Sequence, residues 1–206
     1  MPNISISTSH IDQLTAASQL SEILNELQCP HAYIGEKLSE YSKQFASAGL
    51  KFFYVKELQG CLSGDELVRT SKDNVLIETL QAGTLGLPCV PEPVCTVQVK
   101  PGININMLHP AVLILTKMKR WKVSCDSTRP QTRMKNQSDK ADLEFLVYWL
   151  ANHDMTIAFD KYKGKSKEEL LDVVRVYRER ICTNQELIKM LEKVVNAEDW
   201  KLIVGA

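Results

Sequence analysis

Apolar residues recur at helical spacing from Ile11 to Leu27, where Ile11, Leu14, Ala17, Leu20, Ile23, Leu24 and Leu27 share one broad face. That pattern predicts a helix ended by Pro30. His31–Gly35 then reads as a short buried strand. Glu36–Ala48 carries Leu38, Tyr41 and Phe45 on one side and predicts a second helix, closed by Gly49. The aromatic and β-branched run Leu50–Val55 reads as a strand. Gln59–Asp65 reads as a loop, and Leu67–Thr70 and Val75–Leu80 as strands. Leu87–Pro93 is a proline-rich connector, poor in donors for a central strand. Val94–Val99 and Ile103–Met107 flank Lys100-Pro-Gly102, the pattern of a hairpin.

From His109 the character changes. Pro110 suits the first turn of a helix that runs to about Trp121. Val123–Asn136 is polar and holds Pro130, which predicts a loop. Ser138 is placed to cap a helix with Leu143, Leu146, Val147 and Leu150 on one side. Met155–Tyr162 reads as extended. Ser166-Lys-Glu-Glu169 and Thr183-Asn-Gln-Glu186 are capping boxes, each opening a helix. Leu170, Val174, Tyr177 and Ile181 mark the first apolar face; Leu187, Ile188, Leu191 and Val194 mark the second. Trp200 is placed to seal the end of this pack. Strands thus dominate residues 31–107 and helices 109–204. The expected class is α+β: a mixed β-sheet within residues 1–108 and a helical portion, 109–206, packed against it as one continuous globular unit.

Composition narrows the function. Of 206 residues, 44% are hydrophobic and 24% charged, which calls for a packed core. Lys+Arg and Asp+Glu both number 25, so no basic excess points to a nucleic-acid backbone. No window approaches the roughly 18 apolar residues of a membrane span. The first residues lack a basic segment followed by an apolar run, so no secretory signal is expected. The six cysteines include no C-x-x-C pair and none beside His at zinc-ligand spacing. Reduced thiols in the cytoplasm are the expectation.

One carboxylate stands out. Glu78 sits inside the apolar run Val75-Leu-Ile-Glu-Thr-Leu80. It reads either as the solvent face of a half-buried strand or as a metal-binding acid. Among the basic residues, Lys117, Lys119, Arg120 and Lys122 follow an apolar run, where cations suit a helix C-terminus. Asp139 and Asp142 suit a first helical turn by the same rule. His109 reads as a capping or hinge residue.

The order of these segments resembles the nucleotidyltransferase fold superfamily, in particular its small fungal and bacterial-toxin-like members. His31-Ala-Tyr-Ile-Gly35 resembles the start of the family's Gly-Gly strand, and Val75–Leu80 its third-acid strand. Leu108–Lys119 resembles the helix whose lysine faces the nucleotide. Arg129–Leu143 resembles the basic stretch and the helix start that follows it. The resemblance implies Mg²⁺-dependent transfer of a nucleotidyl group from a nucleoside triphosphate (NTP). Glu78 would be the catalytic third acid and metal ligand, and Lys117, Lys119, Arg129 and Lys135 the nucleotide ligands. The chain departs from the pattern at one place. The second Gly, the Ser and the paired aspartates are missing as a block, and no Asp-x-Asp occurs anywhere.

A two-metal site needs carboxylates at fixed positions, so Glu78 alone holds at most a hydrated Mg²⁺ weakly. Three readings stay open. One is a degraded nucleotidyltransferase, weakly active or inactive. Another is a non-catalytic interaction module of the same fold, forming a homodimer through the exposed sheet edge where the missing strand would sit. In the third, the gap belongs to the gene model and the working protein is longer and active.

Overall fold

The computed structural model describes residues 10–28, 51–54, 58–63, 66–71, 75–78, 83, 87–89, 92–100 and 103–205. The expected strand His31–Gly35 and helix Glu36–Ala48 lie outside them. The chain divides into two compact units: residues 1–81 with 96–107, and residues 82–95 with 108–206.

The first unit opens with helix α1 (His10–Glu26). Its buried side is made of small residues, Ala16, Ala17, Ser18 and Ser21, and the helix lies against the strand β4 (Val75–Glu78). The larger Ile11, Ile23 and Leu27, expected to face inward, are all more than half exposed. Three further strands precede β4: β1 (Lys51–Tyr54), β2 (Leu58–Ser63) and β3 (Glu66–Ser71). β1 pairs antiparallel with β4, from Lys51 opposite Glu78 to Tyr54 opposite Val75. β2 pairs antiparallel with β3, from Leu58 opposite Ser71 to Ser63 opposite Glu66. β5 (Val94–Lys100) pairs with β6 (Ile103–Leu108), as the hairpin pattern predicts.

The mixed sheet expected in residues 1–108 is not formed among the described residues. The described strands make separate two-stranded ribbons, and the described structure is mostly helical. The physical reason lies in the connections. A parallel pair needs a crossover of about a dozen residues or more. Here consecutive strands are joined by residues 55–57, 64–65 and 72–74 alone. None of these links is long enough for such a crossover, and the pairing is antiparallel and nested, with the β2–β3 hairpin falling between β1 and β4 along the chain. Most of the segment read as a loop, Gln59–Asp65, belongs to β2. Gly60 and the polar Gln59 and Ser63 hide its strand character, and pairing with β3 overrides local preference.

The second unit contains α2 (Pro110–Ser124), α3 (Pro130–Asn152), a 3₁₀ turn at Phe159–Lys161, α4 (Lys167–Arg180), α5 (Gln185–Lys193) and α6 (Ala197–Val204). α2 is its centre. Ala111 through Thr116 are buried without interruption, and Met118 and Trp121 follow. A helix apolar on all sides needs neighbours on all sides. α2 packs on α3, α4 and the 3₁₀ turn, while α5 packs on α3 and α6 on α4. Trp121 meets Tyr177 of α4 edge to face, with ring centres 5.6 Å apart.

Local chemistry sets the helix ends. His109 caps α2, its Nδ1 accepting from the Ala111 N–H at 3.2 Å. Ser166 and Glu169 form the full capping box of α4. α5 is capped by Asn184, not by the Thr183 box: the Asn184 side chain accepts from Leu187 N–H. Asn196 caps α6, which contains Trp200. The loop expected over Val123–Asn136 is largely helix. Pro130 occupies the first turn of α3, where its missing N–H costs nothing, so Ser138 lies inside the helix and caps nothing. Among the described residues no helix is long and apolar enough to cross a membrane.

Candidate functional site

The residues singled out by the resemblance fall in both units. Glu78 ends β4, opposite Lys51 in the first unit; its side chain is outside the described set. The four basic residues belong to the second unit, and their geometry is particular.

The C-terminal turns of α2 carry Lys117, Lys119, Arg120 and Lys122. Successive helical residues are rotated by about 100°, so these cations point to different neighbours. Lys117 Nζ meets Asp142 Oδ2 of α3 at 2.5 Å, and its side chain is only 12% exposed. Arg120 grips Asp139 of α3 with two nitrogens, Nε to Oδ2 at 3.1 Å and Nη2 to Oδ1. The Asp139 side chain is 5% exposed, so this pair is largely desolvated. Lys122 Nζ donates to Asp172 of α4, and that hydrogen bond holds the Asp172 carboxyl below its usual range. Ser124 closes the row, its hydroxyl donating to Asn136 Oδ1 at 2.6 Å while Asn136 Nδ2 donates back to the Ser124 carbonyl. Asp139 and Asp142 therefore sit in the body of α3 rather than in a first turn, and both bind cations of α2.

Lys119 differs. Its Nζ lies 3.4 Å from the Tyr162 hydroxyl and 5.4 Å from the Tyr162 ring centre. Burial lowers its pKa, and the nearby Lys165 lowers it further. Tyr162 is buried, and desolvation pushes its hydroxyl up to about 12. Sequence offered no signal for this contact, because the two residues are 43 positions apart.

Arg129 is exposed at the N-cap of α3 and makes no side-chain cap bond. Lys135 is half-buried on the same helix. Lys117 turns to Asp142 of α3 and Lys119 to Tyr162 after the 3₁₀ turn, while Arg129 precedes α3 and Lys135 lies within it. Among the described residues no group of three or more His, Cys, Asp or Glu side chains is placed to hold a metal ion.

No protein-family model, no curated protein and no solved structure matches this chain. The nucleotidyltransferase resemblance rests on its sequence motifs alone.

Proposed function

We propose that this chain is a non-catalytic protein-interaction module that associates with a second copy of itself. The observation that carries the reading is the outer face of α3. Met134, Ala141 and Phe145 share one line along the helix, opposite the buried Leu143, Leu146 and Leu150. Met134 is 66% and Phe145 63% exposed. Large apolar side chains lined up in water mark interaction faces, and Met and Phe are enriched at them. The ribbons support the same reading: among the described residues each of β1 to β4 has one strand partner, which leaves its other edge open to a further strand. Against catalysis stand the ion pairs of α2, which engage Lys117, Arg120 and Lys122 internally. A cytoplasmic setting fits the free thiols of Cys89, Cys95, Cys125 and Cys182.

Light scattering over a dilution series tests the association. The expected result is a dimer that dissociates on dilution and that Phe145→Glu weakens by about tenfold or more, the scale of one lost anchor. A monomer at every concentration overturns the reading, and a dimer indifferent to Phe145→Glu removes α3 from it. The non-catalytic part falls if ATP, CTP, GTP or UTP with Mg²⁺ yields pyrophosphate that Glu78→Ala abolishes.

A further inference from the structure

α3 carries a seam. Gln131, Met134, Ser138, Ala141, Phe145 and Tyr148 follow one another at alternating steps of three and four residues. That is the spacing of a contact line between two helices. The first five are exposed and Tyr148 is half-buried, so the line faces outward. Met134 and Phe145 are its large apolar members, and the small Ser138 and Ala141 lie between them. Charge is segregated along the same helix. At about 100° per residue, Arg133 and Glu144 flank one side of the seam, and Lys135 and Asp142 the other. On each flank the cation is nearer the N-terminus of α3. Glu144 lies 3.9 Å from Lys140, and its side chain is 38% exposed. Asp142 meets Lys117, yet its side chain is 42% exposed. Both carboxylates keep room for a second cation.

On the reading that this chain pairs with itself, we propose that two copies pack α3 against α3 antiparallel, about a two-fold axis passing between Ser138 and Ala141. A two-fold contact must be self-complementary, because every pair of residues across it occurs twice. Antiparallel α3 meets this condition. With the axis between Ser138 and Ala141, Met134 of each copy packs on Phe145 of the other, a sulfur–aromatic contact. Ser138 faces Ala141, and these small side chains let the two backbones approach closely. Gln131 falls opposite Tyr148. The flanks match as well: Arg133 comes beside Glu144 of the second copy, and Lys135 beside Asp142. A parallel pair instead sets Arg133 beside Lys135 of the second copy and Asp142 beside Glu144, like charge against like.

The test uses the whole chain carrying Gln131→Cys and Tyr148→Cys together, mildly oxidised as the dimer and mapped by mass spectrometry. Within one copy the two positions are about 25 Å apart along α3, too far for a disulfide. The expected link joins residue 131 of one copy to residue 148 of the other. Links joining 131 to 131 and 148 to 148 overturn the antiparallel arrangement and leave the homodimer standing, as does a dimer that forms neither link. Charge gives a second measurement. Arg133→Glu should weaken association about tenfold in light scattering, and adding Glu144→Arg should restore it to within about twofold. No weakening by Arg133→Glu, or no recovery in the double variant, also overturns the arrangement. A wild-type chain that stays monomeric at every concentration removes both the arrangement and the homodimer.

Discussion

α2 and α3 are neighbours of opposite character. The first half of α2 is buried all round, Ala111 through Thr116 without a break. α3 is one-sided: Leu143, Leu146, Val147 and Leu150 face inward while Met134 and Phe145 face water. Their shared boundary is ionic at one end, where Lys117 and Arg120 meet Asp142 and Asp139. The first half of α2 has no surface left for a ligand, and three of the cations that follow are engaged by carboxylates of α3 and α4. A peripheral helix keeps one face for something outside. Lys117, a nucleotide ligand by the resemblance, bonds Asp142 of α3 here.

The largest expected effect breaks that boundary. Arg120→Met leaves Asp139 buried without its partner and should lower unfolding free energy by about 4 kcal/mol. The double change Arg120→Met, Asp139→Leu should recover most of it, because two apolar groups replace the desolvated pair. Urea denaturation of the three chains decides; a double variant as unstable as the single one would show that the pair itself, rather than the orphaned charge, matters.

The inward and outward faces of α3 separate next. Leu143 is fully buried, and Leu143→Ala should cost about 3 kcal/mol through lost burial and a cavity. Phe145→Ala, measured in the dilute monomer, should stay within about 0.5 kcal/mol. Similar losses from both would remove the one-sided description.

A smaller gain is expected where α4 meets α2. Tyr177 is fully buried against Trp121, and among the described residues its hydroxyl has no hydrogen-bond partner. Desolvation also pushes that hydroxyl far up, so it stays neutral. Tyr177→Phe keeps the ring contact and removes the orphan, and should raise the thermal midpoint by the equivalent of about 1 kcal/mol. A loss of stability would reveal a partner for the hydroxyl.

The smallest effect is set by pH. The Lys122 hydrogen bond depresses Asp172, with lesser help from Arg175. A depressed carboxyl stabilises the fold above its unfolded value, near 3.8, and loses that contribution as pH falls through the folded value. Both partners are about a third or more exposed, so solvent screens the pair and the effect stays below about 1 kcal/mol. Lys122→Met should flatten this part of the acid-unfolding curve; an unchanged curve would assign it elsewhere.

Much of the helical unit is legible in the sequence because caps are local. Ser166 and Glu169 lie three positions apart, and their two reciprocal bonds are the ones that spacing predicts. His109 and Pro110 open α2 for the same reason. Two local signals mislead: Pro130 lies in a polar stretch that reads as a loop but opens α3, and the Thr183 box adjoins Asn184, which is the cap of α5. β2 was hidden because strand pairing depends on a partner strand, not on its own residues.

The candidate sites are another matter. Lys119 reaches Tyr162 across 43 residues and Lys122 reaches Asp172 across 50. Such contacts depend on how helices cross, and no spacing along the chain encodes a crossing. The sequence by itself determined where most helices begin and which of their faces are apolar, since capping and periodicity act within a few residues. Only the tertiary structure decided that α2 is central, that Asp139 and Asp142 answer its cations, and that Tyr162 meets Lys119. Those outcomes arise from competition among distant segments for the same buried surface.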